Sequence, residues 1–339
     1  MKKSKKVWMI TAASCMVVGG ILAVSAIAAS MGEVPQTSAE EDAPTWGGID
    51  FSQFSTVSYE MKTYSITDRF SNLEINTGWQ NVSFLPAEDG KCRVECAENE
   101  DLTYTVKVEG DTLRVIQNDN SQWYDKVGVF SPENAQVTIY LPQGEYGQLS
   151  VVTSSGNIAV PSGLTFSSAI VKATSGEVGV KSEITENLEA ESSSGNIVVE
   201  GFKGKTFSAA AISGNITASG IEAQEQVSLQ ATSGEVGLSS CWAKEISLSC
   251  TSGDVALNDT RAQEKMEVQT TSGNVALSAC DAEDIRIQTS SGDVGGSLLS
   301  EKRFAVQTSS GDVVVPDSPQ ASQICQIITT SGNVAFVEK

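Results

Sequence analysis

From residue 149 to the C-terminus the apolar positions fall at fixed distances from a recurring corner. A Ser-Gly-[Asn/Asp/Glu]-[Val/Ile] unit repeats with its glycine at Gly156, Gly176, Gly195, Gly214, Gly234, Gly253, Gly273, Gly292, Gly311 and Gly332. The spacings are 20, 19, 19, 20, 19, 20, 19, 19 and 21 residues. Seven and five positions before each glycine, and two and four after it, 39 of 40 residues are apolar, Gly296 being the exception. The positions six and four before it hold only 5 apolar residues in 20. Alternation on both sides of a turn means two half-buried strands per repeat rather than a helix.

One such unit cannot bury its own apolar face, whereas stacked units can. The pattern therefore predicts an all-β, single-stack β-solenoid of about ten coils of 19–21 residues. At the usual strand spacing that is a rod on the order of 48 Å. Ser-Gly-Asx is expected to form each corner, with Gly supplying a backbone conformation that other residues resist and Asn or Asp bonding the turn. The variable segment closing each coil often carries one apolar residue (Leu164, Ile184, Phe202, Ile221, Trp242), which suggests a short third side.

Upstream, residues 49–146 alternate less regularly, through Leu73 and Ile75, Val82 and Phe84, Val106 and Val108, Leu113 and Val115, and Val137, Ile139 and Leu141. Glu109-Gly110-Asp111 reads as a hairpin corner. This stretch is expected to be an irregular N-terminal β region or cap, with 147–339 as the regular repeats.

The first residues have a different character. Lys2, Lys3, Lys5 and Lys6 form a short basic tail, residues 1–6, ahead of an uncharged stretch from Val7 to Ala29. Twenty-three residues of helix span ~34 Å, enough for a bilayer core of about 30 Å. The lysines should stay cytoplasmic, which places the body outside a single-pass anchor. Ala26-Ile27-Ala28 keeps a cleaved signal peptide, and so secretion, as the alternative. Residues 30–48 are acidic and broken by Pro and Gly, a flexible linker. Leu141-Pro142-Gln143-Gly144 lacks the threonine and the position of a sortase signal.

Charge and composition then narrow the chemistry. The chain has a net charge of −20; residues 1–29 carry +4, so the remainder carries −24. Such a body repels phosphate backbones and excludes nucleic acid as a partner. There is no histidine, which removes the commonest general base and metal ligand. Ten equivalent serines with none singled out do not make a nucleophile, so no catalytic residue and no cofactor is assigned.

Three other columns invite a site. The residue after each glycine runs Asn157, Glu177, Asn196, Asn215, Glu235, Asp254, Asn274, Asp293, Asp312, Asn333. Its acids, Glu235, Asp254, Asp293 and Asp312 foremost, could form a calcium ladder. Turn geometry, with Asn relieving repulsion between stacked acids, accounts for the column more simply. The seven cysteines are an odd number. Cys92 and Cys96 lie ~13 Å apart along an extended strand, and Cys241 and Cys280 ~9.6 Å apart two coils away, both too far to bridge. The outward face is rich in Ser, Thr and Gln (Gln230, Thr232, Ser249, Thr251, Gln269, Thr271, Gln288, Ser290, Gln307, Ser309) without an aromatic row.

The run VTIYLPQGEYGQLSVVTSSGNIAV at 137–160 and the recurring TSSGDV-type units are similar to the bacterial "putative adhesin" domain family, a domain-of-unknown-function family of Gram-positive bacteria, over residues 64–337. The resemblance implies a membrane-anchored extracytoplasmic β-solenoid and brings no catalytic residues with it. An adhesin-like interaction or envelope-scaffold protein, binding a glycan, cell-wall or protein ligand, is the expected function. An envelope-stress sensor working with a membrane partner is the alternative. A polysaccharide-active enzyme fits less well, because Arg261, Arg286 and Arg303 are scattered and no loop is long enough to wall a cleft.

Overall fold

The computed structural model describes residues 59–119 and 136–337. Among them are twenty-four strands and no helix, all joined in one hydrogen-bonded system. The regular coils stack in parallel register, so that Val236 pairs with Val255, Leu238 with Leu257 and Leu248 with Val268. The apolar columns run down the rod axis: Val227, Ile246 and Met266 stack, as do Leu229, Leu248 and Val268, and all six are buried. A coil's inward residues thus meet the inward residues above and below, and no loop is needed to cover them.

The third side is longer than the sequence suggested. In the central coils the chain runs as one bent strand through two corners, over Ile216–Ala231, Val236–Cys250 and Val255–Thr270. Leu164, Ile184, Phe202 and Ile221 are buried there as expected. Trp242 is not: it is 47% exposed, and Cys241 takes the inward place because the chain alternates from Leu238 through an added corner residue. The change from 19 to 20 residues per coil is absorbed as a bulge on this side, where residues 223–226 oppose 243–245.

The repeat glycines are required for a different reason from the one expected. Nine of the ten lack a left-handed φ; only Gly311 has one, at 146°. What excludes a side chain is the coil beneath. A Cβ on Gly214 would lie 1.9 Å from the carbonyl oxygen of Gly195, and one on Gly234 2.0 Å from that of Gly214. The left-handed conformation belongs instead to a second corner six residues later, with φ of 79° at Gly201, 64° at Gly220, 49° at Ser240, 45° at Asp259 and 53° at Ala279.

Both ends of the rod depart from sequence order. Arg303–Ser310 pairs only with Ile324–Ser331, and Ile324–Ser331 pairs in turn with Asp284–Ser291. The last coil in sequence is therefore inserted beneath the one before it, and the Gly311 coil ends the stack. Gly332 sits on Gly292, Gly311 sits on Gly332, and Phe304 packs on Phe336 with ring centroids 5.2 Å apart. The chain's final described strand, Val334–Val337, is therefore not the end of the stack: it lies between Val294–Leu298 and Val313–Val314.

Lys302 pins this crossing. Its side chain is wholly buried and its Nζ donates to Asp281 Oδ1 at 2.6 Å, to Ser300 Oγ at 2.7 Å and to Gln323 Oε1. Those groups belong to three different passes of the chain, and an ammonium left without them would be costly.

The N-terminal end is interleaved in the same way. Asn72–Thr77 lies between Glu145–Thr153 and Thr112–Asp119, so an earlier coil separates two later ones. Gly110 (φ 62°) makes the expected hairpin, which folds Leu102–Glu109 antiparallel onto Thr112–Asp119. Arg93–Glu98 runs antiparallel to Gln136–Leu141, and Glu60–Ser65 closes it. These antiparallel strands cap the stack; they are not irregular coils.

Ala279 holds a left-handed backbone that costs a residue with a Cβ about 1 kcal/mol relative to glycine. Ala279→Gly should therefore raise stability by about that amount in denaturant unfolding; an unchanged or lower midpoint would contradict the strained corner.

Candidate functional site

The column after the glycines is a hydrogen-bond ladder. Asn157 Oδ1 accepts from the backbone N–H of Glu177 at 2.8 Å, Asn196 from Asn215 at 3.0 Å, and Asn215 from Glu235 at 2.9 Å. Asp254 Oδ1 accepts from Asn274 N at 2.7 Å, and Asn274 Oδ1 from Asp293 N at 3.0 Å. Asn81, in the interleaved N-terminal coil, begins the ladder by accepting from Asn157 N at 2.9 Å.

The interleaving rearranges the acids. In sequence Asp293 and Asp312 are successive members of the column, but in space Asn333 stands between them. Asn333 donates its backbone N to Asp293 at 2.7 Å and its side-chain Nδ2 to the same oxygen at 3.1 Å, and its own Oδ1 accepts from Asp312 N at 3.0 Å. Asp254 is likewise held by Asn274 Nδ2 at 3.1 Å. Among the described residues no group of three His, Cys, Asp or Glu side chains converges on a point that could hold a metal ion.

The ten serines before the glycines are all exposed. The corner's hydroxyl bonds come from residues three before the glycine, which the sequence reading passed over. Thr153 Oγ1 donates to Gly78 O at 3.0 Å, and Ser192 Oγ to Gly176 O at 3.0 Å; Cys250 Sγ does the same to Gly234 O at 3.2 Å. A small polar residue at a position otherwise filled by Ala173, Ala211 and Ala231 was the available signal.

Cys92, Cys96, Cys241, Cys250, Cys280 and Cys325 are buried and form no disulfide. Thr260 stands between Cys241 and Cys280, since it pairs with Cys241 and the adjoining bridge joins Arg261 to Asp281. Burial pushes the thiols of Cys92, Cys96, Cys241 and Cys325 up to about 12 and that of Cys280 to about 11. They are packing residues, protonated and poor nucleophiles.

The outer face holds a shallow open groove of about 610 Å³ running along the rod from the coil of Val152 to that of Thr251. It lies between two outward columns, one with Lys172, Glu191, Ala210 and Gln230, the other with Thr174, Ser193, Ile212 and Thr232. The small residues Ala173, Ala211 and Ala231 form its floor. Lys172 is neutralised in place by Glu189 at 2.5 Å and Glu191 at 3.2 Å. Ile212 is 56% exposed and Val152 40% exposed, apolar points on a face otherwise made of hydroxyls and amides. The ten Ser, Thr and Gln residues singled out in the sequence are all exposed and prolong this face toward the C-terminal end.

The basic tail, the apolar run 7–29 and the linker lie outside the described residues. Among the described residues no helix is long and apolar enough to cross a membrane.

Coils, corner ladder and capped N-terminal end define an N-terminally capped β-solenoid. The sequence matches the Toastrack DUF4097 family over residues 70–294, more than half of the chain, and the protein belongs to that family. Solved structures similar to it include a "putative adhesin" from Bacteroides fragilis NCTC 9343, with 15% identity and a TM-score of 0.43, covering 82% of this chain and 97% of that one. A "putative adhesin" from Parabacteroides distasonis ATCC 8503 has 15% identity and a TM-score of 0.47, covering 83% of this chain and 97% of that one. A "putative lipid binding protein" from the same organism has 16% identity and a TM-score of 0.44, covering 73% of this chain and 100% of that one. No curated protein matches the sequence.

The thiols give a test with a definite sign. A folded-state pKa raised from 9.0 to about 12 means the unfolded chain loses its proton first. Stability is then full below pH 9 and falls as pH rises toward 12. A thiol reagent at neutral pH should label none of the six described cysteines in the native protein and all six in denaturant. Labelling of the native protein at these positions would contradict their burial.

Proposed function

We propose that this is a non-catalytic, adhesin-like interaction or scaffold protein of the cell envelope. In this reading residues 7–29 anchor it in the membrane, residues 1–6 stay in the cytoplasm and the rod stands outside. The lysines before the apolar run, with none in the 23 residues after them, support that orientation.

The observation that carries the binding role is the groove along the outer face. It is long, open and parallel to the rod, which suits an extended polymer better than a compact small molecule. Its charges are paired within the protein, and its remaining groups are hydroxyls, amides and small apolar side chains. A body with so large a negative charge disfavours polyanions. A neutral glycan chain of the cell wall or of a host surface is the ligand class that fits.

The test is binding of the purified full chain, in detergent, to a glycan array and to envelope fractions, with and without calcium. Saturable binding to one glycan class is expected, independent of calcium and lost in Ala210→Trp, which fills the groove. Absence of saturable binding, or equal binding by Ala210→Trp, would overturn the groove as the site. Dependence on calcium would return the role to Glu235, Asp254, Asp293 and Asp312.

A further inference from the structure

The two ends of the rod are finished differently. At the N-terminal end the outermost strands are antiparallel additions whose surface is studded with ion pairs. Lys62 meets Glu98 at 3.4 Å, Lys107 meets Glu109 at 2.6 Å, and Arg114 meets Glu109 at 3.2 Å. At the C-terminal end no strand among the described residues lies beyond the Gly311 coil. Arg303–Ser310 pairs on one side only, as does Val313–Val314 with Val334–Val337.

The inward residues of that coil are not covered. Phe304, Val306 and Thr308 are half-buried, whereas Cys325, Ile327 and Thr329 beneath them are buried. Val313 is 44% exposed, at a position where the valine or isoleucine of every other repeat is buried, and its neighbour Val314 is 65% exposed. Nothing in Arg303–Ser310 blunts the edge: the strand has no proline and no lysine, and its full length can accept another strand. The coil is also nearly free of the acidity of the body. Residues 303–315 contain one basic and one acidic side chain, Arg303 and Asp312, against five glutamates in 183–200.

We infer that this edge joins a second copy of the same chain, head to head across a twofold axis. The outer strands of the N-terminal cap, Glu60–Ser65 and Leu102–Glu109, carry Lys62 and Lys107, which blunt them as edges, so like ends meet, and a twofold contact pairs Arg303–Ser310 with itself in antiparallel fashion. A register centred on Val306 keeps every side chain on its own face of the sheet. Val306 then lies against its copy, Phe304 opposite Thr308, Ala305 opposite Gln307 and Arg303 opposite Ser309. The half-exposed apolar column becomes continuous from one rod into the next. Repulsion between the acidic flanks disfavours side-by-side contact, and this neutral end is where two such bodies approach at least cost. The contact is independent of the groove, so Ala210→Trp leaves it intact.

The experiment measures the mass of the full chain in detergent by light scattering over a wide concentration range, beside Val306→Lys and Val314→Lys. Val314→Lys is the safer variant, since that side chain already faces solvent, and circular dichroism checks that both variants fold. In a third variant, Val306→Cys, the twofold axis places the new thiol opposite its copy, where directly opposed antiparallel residues are about 4.5–5.5 Å apart at Cα and can form a disulfide. The expected results are a concentration-dependent dimer for the native chain, a monomer for both lysine variants, and an oxidised dimer for Val306→Cys but not for Gln230→Cys on the outer face. A monomer at every concentration would overturn the inference. So would a dimer that survives Val314→Lys and gives no cross-link through Val306→Cys. A monomer that instead takes up an added strand-forming peptide would assign the edge to another chain, and would also overturn it.

Discussion

Backbone contact at one corner sets the terms for the rest of the molecule. Along the stack the carbonyl oxygen of one coil's corner residue stands 1.8–2.1 Å from where the next coil's Cβ would be. No side chain larger than hydrogen fits there. With glycine, successive corners close to strand spacing, and three consequences follow. The backbone N–H of each following residue comes within reach of the Asx oxygen below it. At several corners the side chain three residues earlier, such as Ser192 or Cys250, reaches the glycine carbonyl. The inward side chains on either side fall into register with their counterparts, which is what fills the core.

The apolar periodicity made the parallel stack legible, because the two columns on each side of the corner are repeated with hardly a lapse. The reason for the glycine was not legible. Sequence pattern cannot separate a residue needed for its φ from one needed for its missing side chain. The left-handed corner six residues later stayed hidden because Ser240, Asp259 and Ala279 occupy it beside Gly201 and Gly220. Trp242 was misplaced for a related reason. That corner adds one residue to the alternation, and the inward place passes to Cys241.

Interleaving of the ends was equally invisible to a count of spacings, since 19 and 21 residues differ little from the rest. Its traces lie in chemistry that the period ignores. Asp293 and Asp312 would be stacked carboxylates if the coils followed sequence order, and Asn333 separates them. Lys302 would have no reason to be buried on the third side without the crossing passes that bring Asp281, Ser300 and Gln323 to it. The candidate groove was half legible. Its polar columns are in the sequence, but its floor depends on alanines at a position where Thr153, Ser192 and Cys250 bond the corner. The proposal that residues 7–29 form an anchor concerns residues outside those described and rests on sequence alone.

Gly214→Ala tests the central claim most directly, with Gly144→Ala as its control, because a Cβ at residue 144 meets nothing within 4 Å. In urea unfolding the corner substitution should cost about 3 kcal/mol or more, the penalty of forcing atoms into filled space. The control should stay within about 0.5 kcal/mol of the native protein. A Gly214→Ala variant as stable as the control would mean that the coils do not close on one another through the glycine, and the account of the stack would fail with it.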